Sequence, residues 1–315
     1  MTRPAISGRR CPLCDADVPR ADVACPVACD GAEMDALRPY WFGIDQARTF
    51  FSYVRCGNCR ALYNRVFFDD AQLAGLYAAM PQNMDLVADD AVAATQRGYY
   101  RAAATGDLVP GGYLEIGPDV GHLVTLAARG PFDRFWLFEP NVAVHPRLRA
   151  AAGGRDAFVS TDMTDLSAVP DGSVSLAVMV HVLDHLLNPR AMLRAVHAKL
   201  APGGRLLLVT HNEGSLLRRA LGWRWPPFCL QHPQLFNPHT MQWLLRSAYF
   251  HDIEVRPATN CFPIDFLVRQ GLRSLGLPAP RVGLPGRNVN VRLGNILTLA
   301  TRQAGTAAIR LASAS

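Results

Sequence analysis

The sequence predicts an α/β protein, a doubly wound parallel sheet preceded by a small zinc-ribbon-like module. Three observations carry this expectation. Apolar strand-like runs alternate with helical patterns between residues 113 and 210. The turn Gly117-Pro118-Asp119-Val120-Gly121 follows the first of those runs, and two Cys-x-x-Cys knuckles, Cys11-Pro12-Leu13-Cys14 and Cys56-Gly57-Asn58-Cys59, stand upstream.

Composition sets the outer limits. A chain of 315 residues, 50% hydrophobic and 18% charged, can bury one full α/β core and carry a small extra module. No apolar run approaches the roughly 18 residues needed to cross a bilayer. Met1 to Arg10 is polar and lacks a signal-peptide core. A soluble cytoplasmic protein with no integral membrane segment is therefore expected. The net charge of +6 comes almost wholly from arginine, because Lys199 is the only lysine; it permits an acidic substrate without requiring one.

Six of the eight cysteines fall within the first 59 residues. In a reducing compartment, paired thiols at two-residue spacing point to a metal before a disulfide. Each knuckle aims two thiolates at one centre, so Cys11, Cys14, Cys56 and Cys59 predict a closed tetrahedral site, structural in kind, with Zn2+ favoured over iron. Cys25 and Cys29 form a further pair that could compete for the ion. The aromatic runs Tyr40-Trp41-Phe42 and Phe50-Phe51-Ser52-Tyr53-Val54 read as a mini-core around the metal or as a strand of the ribbon, since a base-stacking surface would want interleaved basic residues.

Helical periodicity at Leu73, Leu76, Tyr77 and Met80, and the breaker-poor stretch 91–104, predict two linking helices. Pro110-Gly111-Gly112 punctuates the chain after them. Strands are then expected at 113–116, 135–138, 174–180 and 205–210, with helices at 120–129 and 191–200. The organisation read from this is a zinc-ribbon-like module over 1–69, a helical linker or lid over 70–110, a nucleotide-cofactor domain over 111–303 and a fraying tail over 304–315. Insertions at 212–238 and 262–290 are expected to face an acceptor, the second as an apolar helix over 262–277. Parallel strands bind ligands at their carboxyl ends near the point where the strand order reverses, which gathers Gly117 to Gly121, Glu139, Asp162 and His181 around one crevice.

The chemistry of these positions can be stated residue by residue. Gly117 and Gly121 let the backbone approach a ligand and open a helix whose amino end favours negative charge. Glu139 closes the second strand, 24 positions after Glu115, where a carboxylate can accept both hydroxyls of a ribose. Asp162, with Met163 beside it, could take an adenine amino group or simply cap a loop. The missing G-x-G-x-x-G spacing speaks against a nicotinamide dehydrogenase.

Taken in order, these motifs resemble the class I S-adenosylmethionine-dependent methyltransferases, in particular the bacterial group with an N-terminal cysteine-knuckle module. The resemblance runs from about Cys11 to Arg302. It is carried by Leu114-Glu115-Ile116-Gly117-Pro118-Asp119-Val120-Gly121, Phe138-Glu139-Pro140, His181-Val182-Leu183-Asp184-His185-Leu186-Leu187-Asn188-Pro189, Leu200-Ala201-Pro202-Gly203-Gly204 and Gly294-Asn295-Ile296-Leu297-Thr298-Leu299-Ala300. It implies a seven-stranded Rossmann-like sheet with the last strand antiparallel. It also implies S-adenosylmethionine as cofactor, bordered by Glu115, Gly117, Asp119, Gly121, Glu139, Asp162, Met163 and His181. One departure stands out: Asp119 occupies the position where the family usually has a central glycine.

The acceptor is less legible. Transfer to oxygen needs a base or an orienting group, and histidine is tuned for that near neutrality. His181, His185 and His211 are the catalytic candidates. Asn212, Trp225 and His232 in the first insertion are expected to face the acceptor, where aromatic rings can stack on a sugar or a flat ring. A small hydroxylated molecule or glycan is the expected acceptor, by O-methylation, with C-methylation of a nucleotide-linked sugar as a variant. Nucleic acid is not the expected partner, although one ribosomal-RNA methyltransferase group also has a cysteine-rich zinc module. A non-catalytic cofactor-binding scaffold is the remaining alternative, suggested by Asp119.

Overall fold

The computed structural model describes residues 3–41, 49–78, 87–279 and 287–304. Phe42, Met80, residues 280–286 of the second insertion and most of the predicted tail lie outside the described residues.

In chain order the strands are β1 (Pro19–Val23), β2 (Tyr53–Cys56), β3 (Leu62–Asn64), β4 (Gly112–Ile116), β5 (Arg134–Phe138), β6 (Asp156–Ser160), β7 (Val174–Val180), β8 (Leu200–His211), β9 (Gln234–Leu235), β10 (His251–Pro257), β11 (Asn260–Pro263), β12 (Asn288–Val291) and β13 (Asn295–Thr301). Seven of them form one sheet in the order β10-β13-β8-β7-β4-β5-β6. β13 runs antiparallel to both neighbours and the other pairings are parallel, as the family resemblance implied. β4 is buried along its whole length and β7 nearly so, because strands covered on both faces must be apolar throughout. The chain leaves β4 toward β5 and β6, then returns to β7 on the other side. The crevice at the carboxyl ends of β4 and β7 is the switch point.

Where expectation and structure differ, the cause is local. The sequence does not mark β6 and β10, because they are edge strands with exposed polar positions and only a weak apolar alternation. The helix predicted over 120–129 is shorter, His122–Ala127, since Gly121 before it takes a left-handed φ of 82°. The helix predicted over 262–277 is Ile264–Ser274. Its first residues belong instead to β11, which pairs with β12, and Pro263 ends that strand and stands at the helix N-cap.

The N-terminal strands form an antiparallel sheet in the order β1-β2-β3-β9, so a strand from the segment 212–238 completes it. Burial is continuous across the two sheets: Cys11, Leu13, Cys56, Cys59 and Tyr63 share one cluster with Leu114, Ile116, Val182, Phe236 and Met241. A polar clamp reinforces the contact. Arg55 donates to both oxygens of the buried Glu213 at 3.0 Å each, and its Nε donates to Asp22 at 2.7 Å. Arg218 also donates to Asp22 at 3.0 Å, so this arginine is held in an ion-pair network. The linking helices divide their packing. Asp70–Ala78 sets Leu73 and Leu76 against Trp41, Phe51, Phe67 and Phe68, while Asp89–Ala103 sets Tyr99 and Ala103 against Tyr113, Leu123 and Phe135 under the large sheet.

Candidate active site

The glycine turn after β4 is shaped by sterics. Gly117 has φ 73°, and a Cβ built there would lie 2.5 Å from Val182 Cγ2, so any side chain would push into the turn that follows β7. Asp119 also sits at a left-handed φ, 49°. Aspartate is among the few L-residues that tolerate that region, because its short polar side chain can bond locally. The position that usually takes glycine therefore keeps its backbone conformation here with a carboxylate added.

Glu139, at the end of β5, is the hinge of this loop. Its Oε2 accepts from the Asp119 backbone N–H at 3.0 Å and its Oε1 from the Asn141 N–H at 2.9 Å. The carboxylate is pre-set between two loops, and each oxygen retains a lone pair for a ribose hydroxyl. Burial raises its pKa above the ordinary carboxylate range, against the lowering effect of the two backbone bonds. Glu115 is more deeply placed, 2% exposed, and its Oε2 accepts from the Tyr113 hydroxyl at 2.7 Å. Burial pushes its pKa up to about 8, and the negative charges of Glu139 and Asp119 add to that. The acidic side chains of Asp119 and Glu139, with Glu115 holding its proton up to about pH 8, stand around a turn that admits backbone approach and suit a cationic ligand carrying a ribose, which is the chemistry of S-adenosylmethionine.

Asp162 is exposed and occupied locally: its Oδ1 accepts from Thr164 N–H at 2.8 Å, Thr164 hydroxyl at 2.7 Å and Asp165 N–H at 3.3 Å. These bonds hold its pKa down and build an Asx turn, with Oδ2 left over for a ligand. Met163 beside it packs partly buried against the main core.

Opposite the glycine turn, the carboxyl ends of β7 and β8 bring four imidazoles together. The ring centroids lie 4.6 Å apart for His181 and His211, 4.8 Å for His211 and His232, and 4.6 Å for His185 and His232. The three catalytic candidates and one acceptor-facing candidate thus share one cluster, but their partners differ. His211 Nδ1 is 2.6 Å from Oδ2 of the fully buried Asp184, and the His211 backbone N–H donates to the same oxygen at 3.3 Å. His185 Nδ1 meets the Tyr77 hydroxyl at 2.9 Å. His232 Nδ1 donates to the Pro227 carbonyl at 2.7 Å and lies 3.3 Å from Cys229 Sγ. His181 has φ 53°, and its Nε2 makes a long contact of 3.5 Å with the Asn295 amide.

Burial dominates the electrostatics here. It pulls His181 and His185 down to about 3, helped by neighbouring imidazoles, so both rings are neutral. It lowers His211 too, with Asp184 working in the opposite sense. At His232 burial also opposes charge, but Cys229, Asp184 and the Pro227 carbonyl outweigh it and raise the ring to about 9.

Trp225 is 2% exposed and packs with Phe50, Tyr53 and Phe228, presenting its edge to His211 at 6.3 Å. It forms a wall behind the cluster, and stacking on an acceptor would need that wall to open. Asn212 closes a turn by accepting from Gly214 N–H at 3.0 Å and bridges to Phe236. Asp184 and Tyr77 were not singled out by sequence. Asp184 lies inside the run from His181 to Pro189, so the signal was present, whereas the Tyr77 contact spans 108 residues and leaves no local trace.

The four knuckle cysteines converge. Cys11 Sγ is 3.5 Å from Cys59 Sγ, Cys14 Sγ is 3.6 Å from Cys56 Sγ, and the four sulfurs lie within 4.8 Å of one another. An ion with sulfurs at about 2.3 Å in tetrahedral array separates them by about 3.8 Å, so the donor set fits. Hydrogen bonding from Cys59 lowers the pKa of the Cys11 thiol against the effect of burial. Cys25 and Cys29 form a separate pair with sulfurs 3.4 Å apart.

No curated protein matches the chain. Among solved structures, it is similar to the YcgJ protein of Bacillus subtilis at 16% identity and TM-score 0.49, covering 67% of this chain and 99% of that one. N-methyltransferase NodS of Bradyrhizobium japonicum, solved with S-adenosyl-L-homocysteine, is similar at 14% identity and TM-score 0.46, covering 73% and 97%. A SAM-dependent methyltransferase of Archaeoglobus fulgidus follows at 14% and 0.45, covering 74% and 100%. These likenesses transfer no activity. The methyltransferase-domain family, in contrast, matches residues 91–255, from the second linking helix into β10. This chain belongs to that family and is an S-adenosylmethionine-dependent methyltransferase.

Proposed function

We propose that the protein transfers a methyl group to a hydroxyl of a small molecule or glycan, with carbon methylation of a nucleotide-linked sugar as the nearest variant. S-adenosylmethionine, when bound, supplies the methyl group on its sulfonium. On this reading the Glu139 carboxylate accepts the ribose hydroxyls, Asp119 favours the cation, and Glu115 borders the cofactor. Gly117 gives the backbone room, Asp162 and Met163 border the base, and His181 separates cofactor from acceptor.

The observation that carries the oxygen acceptor is the Asp184–His211 contact at 2.6 Å. A hydroxyl must lose its proton as it is methylated, and an imidazole oriented by a buried carboxylate is the arrangement that serves that need. Proton removal falls to the face made by His181, Asp184 and His211. His185, bonded to Tyr77, supports this face, and His232 and Trp225 close it from the side of the insertion. We read the four cysteines as a structural Zn2+ site, since a closed set of four thiolates leaves no position for a substrate. No helix among the described residues is long and apolar enough to cross a membrane; we assign the chain to a reducing cytoplasm, where thiols paired at this spacing hold a metal rather than a disulfide.

The test is calorimetric titration with S-adenosylmethionine and S-adenosylhomocysteine, followed by methyl-radiolabel transfer into fractionated sugar, lipid and small-molecule extracts. Cofactor binding with a labelled, base-stable ether product supports the reading. Binding with label only in RNA, protein or an amine overturns the acceptor assignment.

A further inference from the structure

We propose that His181, Asp184 and His211 form a second metal site, taking a divalent transition ion through two imidazoles and one carboxylate. One ligand atom from each residue lies within 4.8 Å of the other two. All three stand at the carboxyl ends of adjacent parallel strands: His181 directly after β7, Asp184 in the turn beyond it, and His211 as the last residue of β8.

A second observation is independent of that spacing. His181 Nδ1 and Asp184 Oδ1 are both buried and have no hydrogen-bond partner among the described residues. An orphaned buried polar atom is costly, and a carboxylate oxygen more so. Two such atoms in one small cluster call for a shared positive partner. Among the described residues no lysine or arginine supplies it: the hydrogen bonds that Asp184 makes through its carboxylate come from the ring and backbone of His211, and His232, the raised imidazole of the cluster, makes its own bonds to Pro227 and Cys229 and none to Asp184. A divalent ion would compensate the buried charge. The left-handed backbone at His181, φ 53°, is the kind of strain that persists where a side chain must be aimed. Asn295, 3.5 Å from His181 Nε2, can hold that ring's second nitrogen once its amide is turned to present oxygen.

The donor set selects the ion class. Two imidazoles and a carboxylate suit Zn2+, Fe2+, Co2+ or Mn2+, whereas Mg2+ and Ca2+ prefer oxygen alone. Three protein ligands leave open positions, so this site could bind an acceptor's oxygen and lower its pKa, in contrast to the closed cysteine site. What the ion does rests on the methyl-transfer reading; its binding rests on the cluster alone.

The experiment uses the full chain with its cysteine metal in place, counted by plasma mass spectrometry. Mn2+ is then titrated and followed by electron paramagnetic resonance, because Mn2+ favours nitrogen and oxygen over thiolate; Zn2+ is titrated in parallel by calorimetry. One further equivalent of Mn2+ or Zn2+ is expected, lost in Asp184→Asn and in His181→Gln while both variants keep the cysteine-bound equivalent. Absence of a further equivalent from the wild type, or its survival in both variants, overturns the site. Failure to bind S-adenosylhomocysteine is read separately and bears on the cofactor assignment alone.

Discussion

Glu139→Gln isolates the contribution of one charge to cofactor binding. The two carboxylate oxygens face two backbone donors, Asp119 N–H at 3.0 Å and Asn141 N–H at 2.9 Å. Glutamine keeps the shape but offers one acceptor, so its NH2 must confront one of those N–H groups and one ribose hydroxyl loses an acceptor. A hydrogen bond to a charged group contributes about 1.5–3 kcal/mol. At 1.4 kcal/mol per tenfold, that loss weakens S-adenosylhomocysteine by about 10- to 100-fold in calorimetric titration. Thermal stability should move less, since burial already makes the ionised carboxylate costly and raises its pKa. The same raised pKa fixes the sign of the pH dependence. Wild-type affinity falls as pH drops through it and the carboxylate protonates, while the glutamine variant stays flat across that range. An affinity within about threefold of wild type, under 1 kcal/mol by the same conversion, would refute the assignment of Glu139 to the ribose.

Glu115 has a folded pKa of about 8, above its ordinary value, so the folded state holds a proton that the unfolded chain releases. Its stabilising share is full at low pH and lost as pH rises toward 8; Glu115→Gln should therefore gain in melting temperature over wild type between pH 5 and pH 8, and a constant difference sinks the idea. Cys56→Ser should release the cysteine-bound metal and lower the melting temperature of the whole chain in one transition, because Cys56 shares a buried cluster with Leu114 and Ile116; full metal retention in this variant contradicts the four-sulfur assignment. Trp225→Ala should cost about 3–5 kcal/mol by denaturant titration, as a fully buried aromatic truncated to alanine; a loss below about 1 kcal/mol would mean that the wall it forms already opens. Gly117→Ala should abolish cofactor binding while leaving the metal content unchanged, since its Cβ would fall 2.5 Å from Val182 Cγ2; retained affinity would show that the turn after β7 yields freely.

Sequence by itself determined what depends on neighbours along the chain. The run Val174–Val180 is a central strand because it is apolar throughout, and it lies where the pattern put it. The glycine turn, Glu139 at the end of β5 and the order of the family motifs are local signals, and they named both the sheet and its antiparallel last strand. The cysteine knuckles were legible because metal chemistry restricts their spacing. Edge strands such as β6 and β10 were not, since water-facing positions dilute the pattern. Only tertiary structure decided which partners meet across distance. It set Asp184 against His211, 27 residues on, Tyr77 against His185, and β9 beside β3. Those contacts follow from the packing of whole elements, so no window of sequence encodes them, and they choose among histidines that look equivalent when read along the chain.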